Sequence, residues 1–157
     1  MFKDYLYVFL MSMVPIIELR GAVPMGEALG LDYWVTLLVC VVGNLLPVPI
    51  IYFFARRVLI WGADKRFIGK FFSFCLRKGE RAGQKLAKSA GQKGLFLSLM
   101  LFVAIPIPGT GAWTGTLAAS FLKMGIKSTA LAVSLGVVLA GIIMAIGSTG
   151  VLAVFGL

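Results

Sequence analysis

Two long apolar stretches, with neither a charged residue nor a Pro-Gly turn, are the feature that most constrains this sequence. Tyr33–Ala55 holds 23 residues and Ser128–Ser148 holds 21, and a helix needs about 20 apolar residues to cross the hydrocarbon core of a bilayer. Apolar residues make up 60% of the chain and charged residues 13%. In soluble domains, about a quarter of all residues are charged. We therefore predict an all-α integral membrane protein with a single membrane domain over residues 1–157.

The whole net charge of +9 lies in one central segment. Residues 56–93 contain 11 Lys or Arg and two acidic residues, and the charges of the other residues cancel. Because Lys and Arg accumulate on the cytoplasmic side of membrane proteins, we predict a cytoplasmic loop here, a location in the cytoplasmic membrane, and both termini outside. Nucleic acid is not an expected partner, since this charge flanks the predicted spans.

The start of the basic segment has an amphipathic pattern. Apolar residues between 67 and 75 fall on one helical stripe, and Arg66, Lys70 and Arg77 fall on another face. This pattern is typical of a helix that lies in the headgroup layer. One interpretation is a connector on the membrane surface. The other is a docking surface where these three cations bind anionic lipid headgroups.

Two further apolar stretches are too short to span a membrane. Tyr5–Ile17 and Leu95–Ile107 have 13 residues each, about 20 Å of helix. Each is followed by a turn with Pro or Gly and by a second short apolar stretch. This pattern predicts re-entrant helical hairpins at 5–31 and 95–122. The alternative is four full spans, with the first turn in an outer loop.

The order of hairpin and span occurs twice, in residues 5–55 and 94–148. If the central segment is inside, the two spans run in opposite directions, so the second unit is an inverted copy of the first. Some small residues recur at matching positions, such as Gly43 and Gly136. Inverted repeats with broken helices are typical of secondary transporters.

The first break contains opposite charges between prolines. Glu18 and Arg20 lie in an otherwise apolar half-span, where charged groups are costly and usually face a partner or a cavity. One hypothesis makes Glu18 a proton carrier and Arg20 an anion clamp. The other is a structural ion pair that fixes the hairpin. Gly21 allows close approach of the backbone, and Pro24 frees a carbonyl.

The second break has no charge. Backbone amides from Gly109 to Gly111 at the start of a short helix suit an anion. The alternative, which the residue type favours, is that Thr110 is a simple N-cap. Asn44, near Pro47 and Pro49, marks a kink in the first span and would contact substrate or bond to another helix. The candidate substrate- or ion-binding residues are Glu18, Arg20, Gly21, Pro24, Asn44, Pro106, Pro108, Gly109, Thr110, Gly111 and Trp113.

These residues carry a resemblance to a known family. Glu18–Pro24, the basic central segment and Pro106–Trp113 resemble the bacterial and archaeal family of putative small multidrug export proteins, over essentially the whole chain. The hairpin-and-span units are more remotely similar to the DedA / VTT superfamily, which is implicated in moving lipids such as polyprenyl phosphates with coupling to the proton gradient. That superfamily has an arginine near the second turn. This chain has none there, so Arg20 would have to supply the cation.

The expected function is proton-coupled transport by a homodimer. The first candidate substrate is an anionic amphiphile, such as a lipid-linked phosphate. One alternative is proton-coupled export of lipophilic cations, and another is a non-transporting scaffold or lipid-organising protein. The chain has no His and no recognisable nucleophile–base pair, so we expect no enzyme, cofactor or metal site, and membrane lipids as partners.

Overall fold

The computed structural model describes residues 1–65, 69–107 and 110–155. These residues form α-helices joined by turns and include no β-strand, as the sequence predicted. The helices of this described part are α1 (Phe2–Met13), α2 (Glu18–Ala28), α3 (Tyr33–Leu45), α4 (Val48–Ala63), α5 (Gly69–Ala104), α6 (Ala112–Phe121) and α7 (Ile126–Phe155).

Two stretches are long and apolar enough, by length and composition, to cross a membrane. They are Tyr33–Ala63 and Ile126–Ile146, at the predicted positions. The first consists of α3 and α4, which meet at Leu46 and Pro47. Both of these residues keep helical dihedral angles, but Pro47 has no N–H to continue the hydrogen bonds of the helix, so the helix is divided there into α3 and α4. The predicted kink stays a prediction.

Most of the described residues in the basic segment are helical, although a loop was predicted there. α4 continues to Ala63, beyond the predicted end of the span at Ala55, and α5 begins at Gly69. α5 is kinked at Gly91, where φ is 67° and ψ is −174°, next to the shorter apolar helix Ala90–Ala104. Of the three predicted headgroup ligands, Lys70 and Arg77 are exposed on α5. Arg66 lies outside the described residues.

Both predicted breaks interrupt the helices. The first lies between Met13 and Glu18, and the second between Ala104 and Ala112. In the first break, Ile16 and Glu18 have φ values of 77° and 49°, a left-handed conformation that is unfavourable for side chains with a Cβ, above all a β-branched one. Surrounding contacts must hold this turn in place. The re-entrant path of the two hairpins stays a prediction.

The helices pack as two groups of three. α1, α2 and α3 contact one another, and so do α5, α6 and α7. The groups meet chiefly where α3 packs on α7, while α4 packs on α5 and α6. Fully buried side chains fill both groups, among them Val8, Leu19 and Val23 in the first and Val103 and Val133 in the second.

Each of the two groups contains a close helix crossing at a glycine, and the two crossings match. A Cβ on Gly43 of α3 would lie 2.7 Å from the Phe9 carbonyl oxygen and would overlap Ser12 of α1. A Cβ on Gly136 of α7 would lie 2.7 Å from the carbonyl oxygen of Met100 and 2.7 Å from Cβ of Val103, both on α5. In each group, therefore, a glycine lets two helix backbones approach closely. The glycine lies against a carbonyl group of the other helix and against the side chain of the residue three positions after that carbonyl.

These two crossings predict matched effects of alanine. We expect Gly43→Ala and Gly136→Ala each to lower the free energy of unfolding by about 1–3 kcal/mol, since the added methyl group overpacks a tight contact. Gly125→Ala is the control, because a Cβ there meets no atom within 4 Å. Unfolding in detergent micelles, followed by circular dichroism, measures the difference. Equal stability of all three variants would contradict the described packing.

Candidate functional site

The carboxylate of Glu18 binds the start of a helix from the other group. Glu18 is only 5% exposed, and its Oε1 accepts a hydrogen bond of 3.0 Å from the backbone N–H of Trp113. Trp113 is the second residue of α6, whose own N-cap residue, Gly111, provides no side-chain cap. Glu18 therefore satisfies one of the free N–H groups of α6 and places a carboxylate at the positive end of its dipole.

Gly111 is the residue that allows this contact. A Cβ at this position would overlap the Glu18 carboxylate, so the carboxylate lies directly against the glycine backbone. Gly111 itself has an extended conformation, with φ of −83°, which any residue can adopt. Space for Glu18, and not backbone geometry, therefore explains the need for glycine here.

The guanidinium of Arg20 binds the second break at the end of α5. Its Nη2 donates to the carbonyl oxygens of Val103, at 2.9 Å, and Ile105, at 2.6 Å. Its Nη1 donates to the Ile107 carbonyl oxygen and, at 3.0 Å, to Oγ1 of Thr110. The two Nη atoms carry four N–H groups, so these contacts use all of them. A cation here also complements the negative end of α5.

A third link runs in the opposite direction. The indole Nε1–H of Trp113 donates a hydrogen bond of 3.1 Å to the carbonyl oxygen of Met13, the last residue of α1. Each break therefore supplies side chains that satisfy the helix ends of the other break. These three links hold the strained turn of the first break against the second.

Two predictions about these residues do not agree with this geometry. In the described part of the chain, no ion pair within 4.0 Å joins Glu18 to Arg20, so a direct ion pair does not fix the hairpin. Thr110 is not the N-cap of α6, which begins at Ala112 after Gly111. Oγ1 of Thr110 instead lies 2.8 Å from the carbonyl oxygen of Ile105, because Glu18 takes the capping role.

Glu18, Arg20 and Asn44 line one small cavity. It measures about 10 Å³, room for about one water molecule. Asn44, on α3, is 2% exposed, and its Oδ1 has no hydrogen-bond partner among the described residues. The other residues that line the cavity are Leu19, Val103, Gly111, Ala112, Val137 and Ala140.

The predicted site residues divide into three sets. The contacts above bring together Glu18, Arg20, Asn44, Thr110, Gly111 and Trp113. Gly21, Pro24 and Pro106 do not line the cavity, and the two prolines are exposed. Pro108 and Gly109 lie outside the described residues. No sequence pattern marked Val137 and Ala140 of α7, or the carbonyl groups of Met13, Val103 and Ile105, as part of the site.

The two candidate spans, the buried Glu18 and the half-buried Arg20 between broken helices are the features of an α-helical membrane protein. Residues 18–143 match the sequence model of the family described as "Putative small multi-drug export protein", so the chain belongs to this family, as the two motifs predicted. The match begins at Glu18, where the first break ends, and includes the second break. No curated protein and no solved structure matches the chain. The remoter similarity to the DedA / VTT superfamily stays a prediction.

Proposed function

We propose that the chain is a small membrane exporter that exchanges protons for lipophilic cations at Glu18. The observation that carries this proposal is the position of the Glu18 carboxylate, which is buried, lines a cavity and is not ion-paired with Arg20. A carboxylate within a membrane domain can hold a proton or the positive charge of a substrate. Since it cannot hold both at once, binding of one favours release of the other.

The same geometry gives less support to an anionic substrate. All four terminal N–H groups of Arg20 already bind the second break. The start of α6, the other predicted anion ligand, already holds the Glu18 carboxylate. A lipid-linked phosphate would have to displace these contacts beside a carboxylate of the same charge. Export of cations, the second candidate from sequence, is therefore the function that this site favours.

The position of the site agrees with transport by two repeats. Glu18 and Asn44 come from the first group of helices, whereas Gly111 and Val137 come from the second. The matched crossings at Gly43 and Gly136 support the proposal that the two groups are inverted repeats with re-entrant hairpins. Rocking of one repeat against the other would then open the cavity to alternate sides.

The basic helix supports a further part of the proposal, contact with anionic lipids. Lys70, Arg77, Arg81 and Lys88 are all exposed on α5. At about 100° per residue, their spacing places them within roughly 40° of one another around the helix axis. A row of cations beside a membrane attracts anionic headgroups, at about 1 kcal/mol per Lys or Arg near the surface.

Neutralising Glu18 tests the proposed function. We expect Glu18→Gln to reduce proton-driven transport of tetraphenylphosphonium by roughly a hundredfold or more, because the amide can accept the bond from Trp113 but cannot exchange a proton. The measurement uses liposomes that contain the full chain and carry an imposed pH gradient. Glu27→Gln is the matched control, since Glu27 lies on the same helix and is exposed.

Three results would contradict this function. Unchanged transport by Glu18→Gln would exclude exchange at this carboxylate. Flux of a phosphate amphiphile, with no flux of the cation, would favour the anionic substrate. If the wild-type chain moves neither compound and the pH gradient has no effect, a non-transporting scaffold or lipid-organising protein becomes the better account.

A further inference from the structure

An apolar groove lies between α4 and α6. Its volume is about 420 Å³, which is within the range of small-molecule sites. Of the described residues that line it, none is ionisable. These residues include Ile50, Phe54, Trp113, Leu117 and Phe121.

Trp113 connects this groove with the buried carboxylate. Its side chain lines the groove, while its backbone N–H binds Oε1 of Glu18 at 3.0 Å. The indole is also held at its Nε1, by the bond to the Met13 carbonyl oxygen. The inner wall of the groove is therefore a fixed aromatic ring, and a carboxylate lies on the other side of the same residue.

The lining of the groove suits an apolar body with a positive charge. Phe54, Trp113 and Phe121 provide three aromatic rings, which attract cations through their faces, Trp most strongly. Glu18 lies behind this wall, on the backbone N–H of Trp113. Arg57 lies at the opposite, outer side of the groove, beside Phe54. A positive charge on the occupant is therefore favoured at the Trp113 end of the groove and disfavoured at the Arg57 end.

The outer rim of the groove is open. Ile50 is 64% exposed and Phe54 is 65% exposed, and both lie within the Tyr33–Ala63 span. If α4 lies within the membrane as we propose, this rim faces lipid. A lipophilic compound dissolved in the bilayer could then enter sideways, without passing through water.

We infer that this groove binds the apolar body of a lipophilic cation, with its positive charge towards Trp113 and Glu18. The inference rests on the proposed function and adds the binding site and the route of entry. The groove holds the apolar part by burial of its surface, and Glu18 selects the sign of the charge. Trp113 is the residue shared by the groove and the carboxylate.

Binding of two ions of the same shape and opposite charge tests this inference. Tetraphenylphosphonium is the cation and tetraphenylborate the anion, and the binding affinity of each is measured at equilibrium on the full chain in detergent micelles.

Leu117→Trp, which fills the groove, should weaken binding of the cation by roughly tenfold or more. Phe54→Ala should weaken it severalfold, and as Phe54 is exposed, its loss spares the core. Leu131→Trp is the control, since Leu131 is 61% exposed on α7 and lies outside the groove.

The outcomes separate the groove from the proposed function. If Glu18→Gln weakens binding of the cation while Leu117→Trp and Phe54→Ala leave it unchanged, the groove is wrong and exchange at Glu18 stands. If the cation does not bind, or binds independently of Glu18, the proposed function fails and the inference fails with it. If both ions bind equally and both are lost in Leu117→Trp, the groove is an apolar site for lipid chains, without selection for charge.

Discussion

Replacing Arg20 with alanine is expected to lower the free energy of unfolding by about 1.5–3 kcal/mol, because the half-buried side chain loses its charge-assisted hydrogen bonds to the second break. The guanidinium donates to the carbonyl oxygens of Val103, Ile105 and Ile107, and hydrogen bonds to charged groups contribute about 1.5–3 kcal/mol each. Alanine would leave all three carbonyls without these donors at the negative end of α5. It would also release the first break from the second.

Unfolding of purified variants in mixed micelles, followed by circular dichroism, measures this loss. Arg20→Lys should recover only part of it, because an ammonium group cannot reproduce the planar fork of donors. Arg77→Ala is the matched control. Arg77 is exposed on α5, so its loss should change stability by no more than about 0.5 kcal/mol. If Arg20→Ala were as stable as Arg77→Ala, the link between the two breaks would be wrong.

The helices and their breaks were predictable because their signals are local. The length of the uncharged stretches predicted the two candidate spans, and Pro47 lies where α3 and α4 divide. The proline and glycine turns predicted a break after α1 and after α5, although these helices end at Met13 and Ala104, a few residues before the predicted ends at Ile17 and Ile107. The extent of α4 and α5 was less predictable, since the basic residues between 56 and 93 form helices as readily as loops, and contact with the rest of the chain decides between the two.

The charged residues of the site were predictable, but their partners were not. Glu18 and Arg20 are conspicuous within an apolar half-span. Their partners are backbone groups of residues such as Val103 and Trp113, more than eighty positions along the chain. Every residue carries a backbone N–H and C=O, Pro excepted for the N–H, so no side chain in the sequence marks these atoms as ligands.

The prediction that Thr110 caps α6 was wrong for a reason that also bears on the predicted anion site. A threonine before a short helix predicts an N-cap, and free amides at the start of a helix predict an anion site. Both rules describe an isolated helix end. Here the Glu18 carboxylate binds the Trp113 N–H at that helix end, which makes a Thr110 cap unnecessary and places a negative charge of the chain itself next to the predicted anion site, which stays a prediction.

Gly111→Ala is expected to have the largest effect on transport of any single methyl group added to the chain. The new Cβ would overlap the Glu18 carboxylate, which would have to move and lose the bond from the Trp113 N–H. A buried carboxylate without this donor costs about 1–3 kcal/mol or more. We therefore expect lower stability, and a loss of proton-driven cation transport at least as large as that of Glu18→Gln.

A second substitution separates displacement of Glu18 from general damage to α6. Glu18→Asp shortens the side chain by one methylene group, so it should relieve the overlap with Ala at position 111. We expect Gly111→Ala with Glu18→Asp to be more stable than the two single effects predict, an interaction of about 0.5–3 kcal/mol for residues in contact.

Gly125→Ala, where a Cβ meets no atom within 4 Å, controls for the methyl group. Simple additivity would mean that Gly111 acts independently of the carboxylate. Coupling would show that this glycine is needed because Glu18 lies against it, so that any residue with a side chain at position 111 disturbs the group on which the proposed exchange depends.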